Sequence, residues 1–352
     1  DAIFYGPSDY GAGNSGFGQR VFNIGDLDQD GGDDFAVKVR ARADVLLFLS
    51  GRFLAGWSAT NPVQLSSNAN DSYFGLSVAH GRFNEDAHDD LAICSPGVSA
   101  SEGAVYLYFG KAAVGIDTTL TNTNVLLPNI TPDVAIVASK PTGQEWFCKN
   151  VAMANVDGRP GDDLIVADWG ALGDNVYGFS GGHGNRFPGA APAIVTLEYA
   201  GENVAIGSGW DPSTPLVPPA APARADLVLS PTAYLGDFPA AMTTGDYNGD
   251  GDMDIVVSQP GVDHGQLDDP ACLGTGRAGE VYVYAGGPSL IGSIPGPDTA
   301  PAQLMHLLRY TCSASGFGKV LSTIPRPRPG DNADWLYAKA GSAVGLIYKG
   351  SD

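Results

Sequence analysis

Histidine and cysteine are scarce in this chain, five and four residues of 352, and neither falls into a metal-binding or redox pattern. Cys94, Cys148, Cys272 and Cys312 form no CxxC pair, which argues against zinc and thioredoxin-like chemistry and leaves disulfides or buried thiols. His80, His88, His183, His264 and His306 form no HxH or HExxH, and no serine stands in a GxSxG elbow, so catalysis has no visible carrier and a non-enzyme is expected. Basic residues are few: 19 Lys and Arg face 39 Asp and Glu, a net charge of −20, which excludes binding to a phosphate backbone. A run of about 18 apolar residues is also lacking, so no membrane-inserting helix is expected. The chain opens at Asp1-Ala2-Ile3 without a basic and then apolar targeting segment and reads as a mature or trimmed chain.

Glycine and proline, by contrast, are plentiful, 48 and 25 residues, with 43% hydrophobic content and only 16% charged. That balance describes many short strands separated by turns around an ample core. The strands repeat. An aromatic start, an apolar strand, an Asp-rich turn and then Asp followed by three apolar residues recur from Phe17, Phe74, Phe147, Phe238 and Phe317, with a worn sixth copy near 200 to 230 (ENVAIGSGW, then ADLVLSP). Third strands follow at 44–49, 103–110, 174–181, 279–287 and 343–350, and fourth strands at 62–67, 134–139, 193–199 and 304–310. Four strands in a unit of about 40 to 60 residues predict an all-β fold, a β-propeller of four-stranded antiparallel blades, because one small sheet buries both faces only when neighbours stack on it. Six blades are expected over a single domain, 1–352, with five or seven as the alternatives. The last copy has three strands, and the N-terminal AIFYGP is expected to supply its fourth.

In the first copy Asp26, Asp28, Asp30 and Asp34 stand at positions 1, 3, 5 and 9 of a loop, with the Gly32 carbonyl at position 7 as a further oxygen. The second full set is Asp246, Asn248, Asp250, Asp252 and Asp254. Alternating carboxylates on a tight glycine-containing turn supply the hard oxygen donors that calcium takes, six to eight in its shell. Turn-forming Asp residues with only local hydrogen bonds are the alternative. The bidentate Glu of a helix-flanked calcium loop is absent and a strand follows at once, so these are hairpin loops, and about two structural calcium ions are expected.

Here the sequence resembles the FG-GAP repeats of integrin α-subunit propellers, through FG, DxDxDGxxD, and the SPG and QPG turns at 95–97 and 259–261. The remaining loops depart from the pattern. Arg82 replaces the first Asp of the second loop, Arg159 faces Asn155, Asp157 and Asp163 in the third, and Arg326 and Arg328 stand among Asp331, Asn332 and Asp334 in the last. No calcium is expected in these three.

Strand parity puts the loops between strands two and three on the face opposite the acidic loops. The resemblance implies that this opposite face receives a protein ligand. Its candidates are Asp263, His264, Asp268, Asp269 and Arg277 in the longest such loop, the aromatics Trp169 and Trp210, and the alternating Arg40 and Arg42. Cys272 with Cys312 is the first disulfide candidate and Cys94 with Cys148 the second. The expected function is a secreted or cell-surface adhesion module; the alternatives are a lectin propeller whose partner is a glycan, or an accessory domain of a larger secreted enzyme.

Overall fold

The computed structural model describes residues 16–27, 31–39, 44–48, 63–66, 73–96, 103–110, 132–138, 146–168, 175–182, 193–197, 206–208, 225–230, 238–260, 279–294, 301–310, 317–328, 330–340 and 344–350. These residues are all-β, of the propeller type, with four-stranded antiparallel blades, and they form five sheets. The chain packs as two compact units, 1–151 with 183–224, and 152–182 with 225–352.

In the first unit, β1 (Phe17–Asn23), β2 (Phe35–Val39), β3 (Asp44–Phe48) and β4 (Val63–Ser66) pair in chain order, all antiparallel. The second sheet repeats this with β5 (Val78–Gly81), β6 (Asp90–Ser95), β7 (Ala104–Tyr108) and β8 (Val134–Ala138). The middle strands β3, β6 and β7 are buried at every position, which is why they read as unbroken apolar runs. Ile24, Val45, Leu47, Phe74, Leu91, Ile93 and Tyr106 form the shared core of these two sheets.

The third sheet begins with β9 (Asn150–Ala154), β10 (Asp163–Ala167) and β11 (Val176–Phe179). The chain then leaves it. β12 (Ala193–Leu197) lies parallel to β8 in the second sheet, and β13 (Ile206–Ser208) pairs antiparallel outside it. Only β14 (Leu227–Leu229) returns, antiparallel to β11.

The fourth sheet is β15 (Met242–Gly245), β16 (Asp254–Gln259) and β17 (Gly279–Tyr284). After β18 (Gly292–Ile294) adds in parallel to β14 of the third sheet, β19 (Leu304–Tyr310) completes the fourth. The fifth sheet has β20 (Leu321–Ile324), β21 (Trp335–Ala340) and β22 (Val344–Lys349). Ile165, Val176, Leu229, Phe238, Ile255, Val257, Tyr282 and Tyr284 make the main core of the second unit.

Two expectations are corrected. The worn copy at 200–230 builds no blade: its first half, β13, is an edge strand of the second sheet, and its second half, β14, is the fourth strand of the third. The six-blade count therefore falls to five sheets among the described residues. Residues 193–199 likewise do not serve the third sheet, because β12 pairs with β8. The misreading has a local cause. Asp226-Leu227-Val228-Leu229 carries the same Asp-then-apolar pattern as a second strand, but Asp226 accepts the Ser180 N–H at 2.8 Å just as Asp133, ahead of β8, accepts that of Phe109 at 2.8 Å. An aspartate thus opens fourth strands as well. The N-terminal segment proposed as a closing strand lies outside the described residues.

Candidate metal centre

The acidic loops join first strands to second strands, and each is closed by the Asp at position 9, immediately before or at the start of the second strand. That residue is buried in all five: Asp34, Asp90, Asp163, Asp254 and Asp334 are 0 to 7% exposed. Its carboxylate is a latch. In the fourth sheet Asp254 accepts Tyr247 N–H (2.8 Å) at the head of the loop and Gly286 N–H (2.9 Å) beyond the third strand. Asp90 takes Asn84 (3.1 Å) and Gly110 (2.9 Å), and Asp163 takes Val156 (2.8 Å), Asp157 (3.0 Å) and Gly181 (2.9 Å). In the first loop Asp34 accepts Leu27 N–H at 2.9 Å. Each latch meets main-chain donors that would be orphaned without it. Burial raises Asp90 to about 7, and Asp163 and Asp254 to about 6, against the opposing pull of those N–H groups.

Around this latch the 246–254 loop is fully described. Asp246, 1% exposed, accepts Gly249 N–H on Oδ1 (2.7 Å) and Gly251 N–H on Oδ2 (3.2 Å). Asn248 Oδ1 accepts Asp250 N–H (2.9 Å), Asn248 Nδ2 donates to Asp250 Oδ2 (2.7 Å), and Asp250 Oδ1 accepts Asp252 N–H (2.9 Å). Gly251 turns the chain at φ 97°, a left-handed conformation that a side chain disfavours, and Gly31 does the same in the first loop at φ 92°.

Four carboxylates and one amide oxygen in nine residues fit a hard divalent ion in donor chemistry. Among the described residues, no group of three or more His, Cys, Asp and Glu side chains is gathered in a form that could hold a metal. The oxygens are engaged instead by N–H groups and by Arg326, whose Nη2 lies 3.2 Å from Asp246 Oδ2. In the first loop Asp26 Oδ2 accepts Gly31 N–H at 2.9 Å, while Asp28 and Asp30 lie outside the described residues.

The arginines of the worn loops stand on carboxylates. Arg82 Nε is 3.4 Å from Asp89, and Arg159 Nη1 is 3.8 Å from Asp157. In the last loop Arg328 lies 4.8 Å over the Trp335 ring and Lys349 reaches Asp331 at 3.8 Å.

Of the ligand-face candidates, Arg40, Arg42, Trp169, Trp210, Asp263, His264, Asp268, Asp269 and Arg277 all lie outside the described residues, as do Cys272 and Cys312. Cys94 and Cys148 are bonded, with Cα atoms 5.2 Å apart. The signal for that bond was in the repeat. Cys148 takes the place of the FG glycine and keeps its backbone sign, φ 63° beside 76° for Gly75 and 87° for Gly318. Those glycines press on the preceding blade: a Cβ on Gly75 would meet Val45, and one on Gly318 would meet Ser258, the counterpart of Cys94 four residues past the latch. A cysteine at each side of that close approach is placed to bond.

These blades define a repeat-built β-propeller with acid-rich first hairpins. Residues 238–284, covering β15, its loop, β16 and β17, match the family model described as FG-GAP repeat. No curated protein matches the chain.

Proposed function

We propose that the chain is an extracellular, non-catalytic binding module for a protein ligand, stabilised by calcium at its acidic loops. The observation that carries this reading is the 246–254 loop, where Asp246, Asn248 and Asp250 are collected on one tied turn within the FG-GAP segment. Asp246, Asn248, Asp250, Asp252 and Asp254 would hold the ion there, and Asp26, Asp28, Asp30, the Gly32 carbonyl and Asp34 a second. Calcium, when bound, supplies positive charge that offsets the mutual repulsion of the carboxylates. The protein's share is the rest: Asx hydrogen bonds set the alternation, and the Asp254 latch ties the loop to its sheet. A propeller carrying an FG-GAP repeat supports the protein-binding reading, and the Cys94–Cys148 bond favours an oxidising, extracellular compartment.

Calcium content and thermal melting with and without chelator test this. Bound calcium in the purified chain, with a melting temperature that falls on chelation and with Asp250→Asn, supports it; no bound calcium and no shift overturn it.

A further inference from the structure

We propose that Arg326 is the resident counter-ion of the 246–254 loop: a tethered cation that holds Asp246 until a divalent ion displaces it, and so sets the loop's calcium affinity. This rests on the calcium reading above.

Arg326 stands at position 1 of the last acidic loop, where Asp26 and Asp246 stand in theirs. Its guanidinium reaches beyond its own loop to Asp246 at 3.2 Å, whereas that of Arg159 stands on Asp157 within its own. The two loops are zipped together beneath it. Asp334 Oδ2 accepts Asp246 N–H (3.0 Å), Asp334 N–H donates to the Asp246 carbonyl (2.6 Å), and Asp334 Oδ1 accepts Arg326 N–H (3.1 Å). That last bond holds Arg326 at φ 26°, a positive value uncommon for a residue with a side chain. The backbone is thus pinned where the side chain meets Asp246.

The pair is lopsided. The Asp246 side chain is 2% exposed and that of Arg326 57%. A buried carboxylate needs a counter-charge, whereas a half-exposed guanidinium swings into water at little cost. An incoming divalent ion competes for the same Asp246 oxygen and is repelled by the same guanidinium. Removing the charge at position 326 therefore tightens calcium binding.

The test is calorimetric titration of the full chain with calcium chloride, as wild type, Arg326→Gln and Arg326→Lys, with Asp250→Asn added to each to identify the component that belongs to this loop. In that component, Arg326→Gln binds about tenfold tighter, and Arg326→Lys stays within about threefold of wild type. Should circular dichroism show Arg326→Gln unfolded, Arg326→Met, which keeps the aliphatic stem, replaces it; a variant that folds only when calcium is added also supports the proposal. A component seen in Arg326→Gln but not in wild type supports it most directly. Equal affinity in all three forms, or weaker binding by Arg326→Gln, overturns the role of Arg326 and leaves the calcium loop standing. No Asp250-dependent component in any form overturns the calcium reading itself.

Discussion

The loops 246–254 and 82–90 begin with opposite charges and share the same Asx turns and latch. Asp246 opens one and Arg82 the other, yet Asn84 Nδ2 donates to Asp86 Oδ2 at 2.9 Å as Asn248 donates to Asp250 at 2.7 Å, and both amide oxygens accept the N–H two residues on. Both end on a buried latch that ties the head of the loop to a glycine past the third strand. The hairpin shape is therefore set by the latch and the Asx turns. The charge at position 1 is free to vary, and with it the capacity for a cation.

The strongest way to break this comparison is to remove the latch from each loop. Asp90→Ala and Asp254→Ala each leave two main-chain donors without an acceptor, and each is expected to cost about 3 kcal/mol in urea denaturation. A neutral Asp90→Ala would mean that the worn loop is held some other way.

Calcium sharpens the contrast. At a free concentration about a hundredfold above the dissociation constant, the ion is expected to stabilise the chain by about 2.7 kcal/mol per site. Asp250→Asn should remove one site's share in melting experiments and Asp86→Asn none.

The pH profile in chelator follows from the latches. Asp90 at about 7 and Asp254 at about 6 lie above the unfolded value of about 3.9, so the folded chain binds more protons between those limits. Stability should therefore rise as pH falls from 8 toward 5, by about 1 kcal/mol per unit where one latch titrates. Asp90→Asn should flatten the upper part of that rise, measured as unfolding free energy against pH.

Gly251→Ala places a side chain at φ 97°, at a cost of about 1 to 2 kcal/mol. The same position in the worn loop carries Ala87 without a positive φ, so Ala87→Gly should destabilise by about 0.4 to 1 kcal/mol through the unfolded chain's greater freedom. The smallest effect is expected for Arg82→Gln, which breaks a half-exposed ion pair worth about 0 to 1 kcal/mol in the same denaturation assay.

The blades were legible because their signal is local. Phe, apolar strand, turn and Asp recur at fixed spacing, and in the first four sheets the second and third strands are buried on both faces, so composition alone marks them. What was not legible depends on pairing across distance. Nothing in Ala193–Leu197 says that it lies parallel to β8, and Asp226 opens a fourth strand with the letters of a second. Of the position-9 aspartates, spacing marks Asp34 and Asp254 as ligands and leaves Asp90, Asp163 and Asp334 in loops without calcium. Their other role, capping main-chain donors beyond the third strand, appears only once Gly110, Gly181 and Gly286 are brought beside them. Arg326 replaces an acid in its own loop, but its reach to Asp246 spans 80 residues of sequence.

The excursion of β12 and β13 bears on how the chain is made. A nascent polypeptide that has emerged as far as residue 182 has the first three strands of the third sheet but neither the strand that finishes it nor the two that extend the second. β14 follows only after the traverse through 183–224. Because the chain visits its two units in the order one, two, one, two, no single cut yields two halves that each keep all of their own strands. A gene cut after residue 224 would leave its N-terminal product the whole of the first unit and deny its C-terminal product 152–182, so co-expression would have to reunite strands that translation normally delivers in turn.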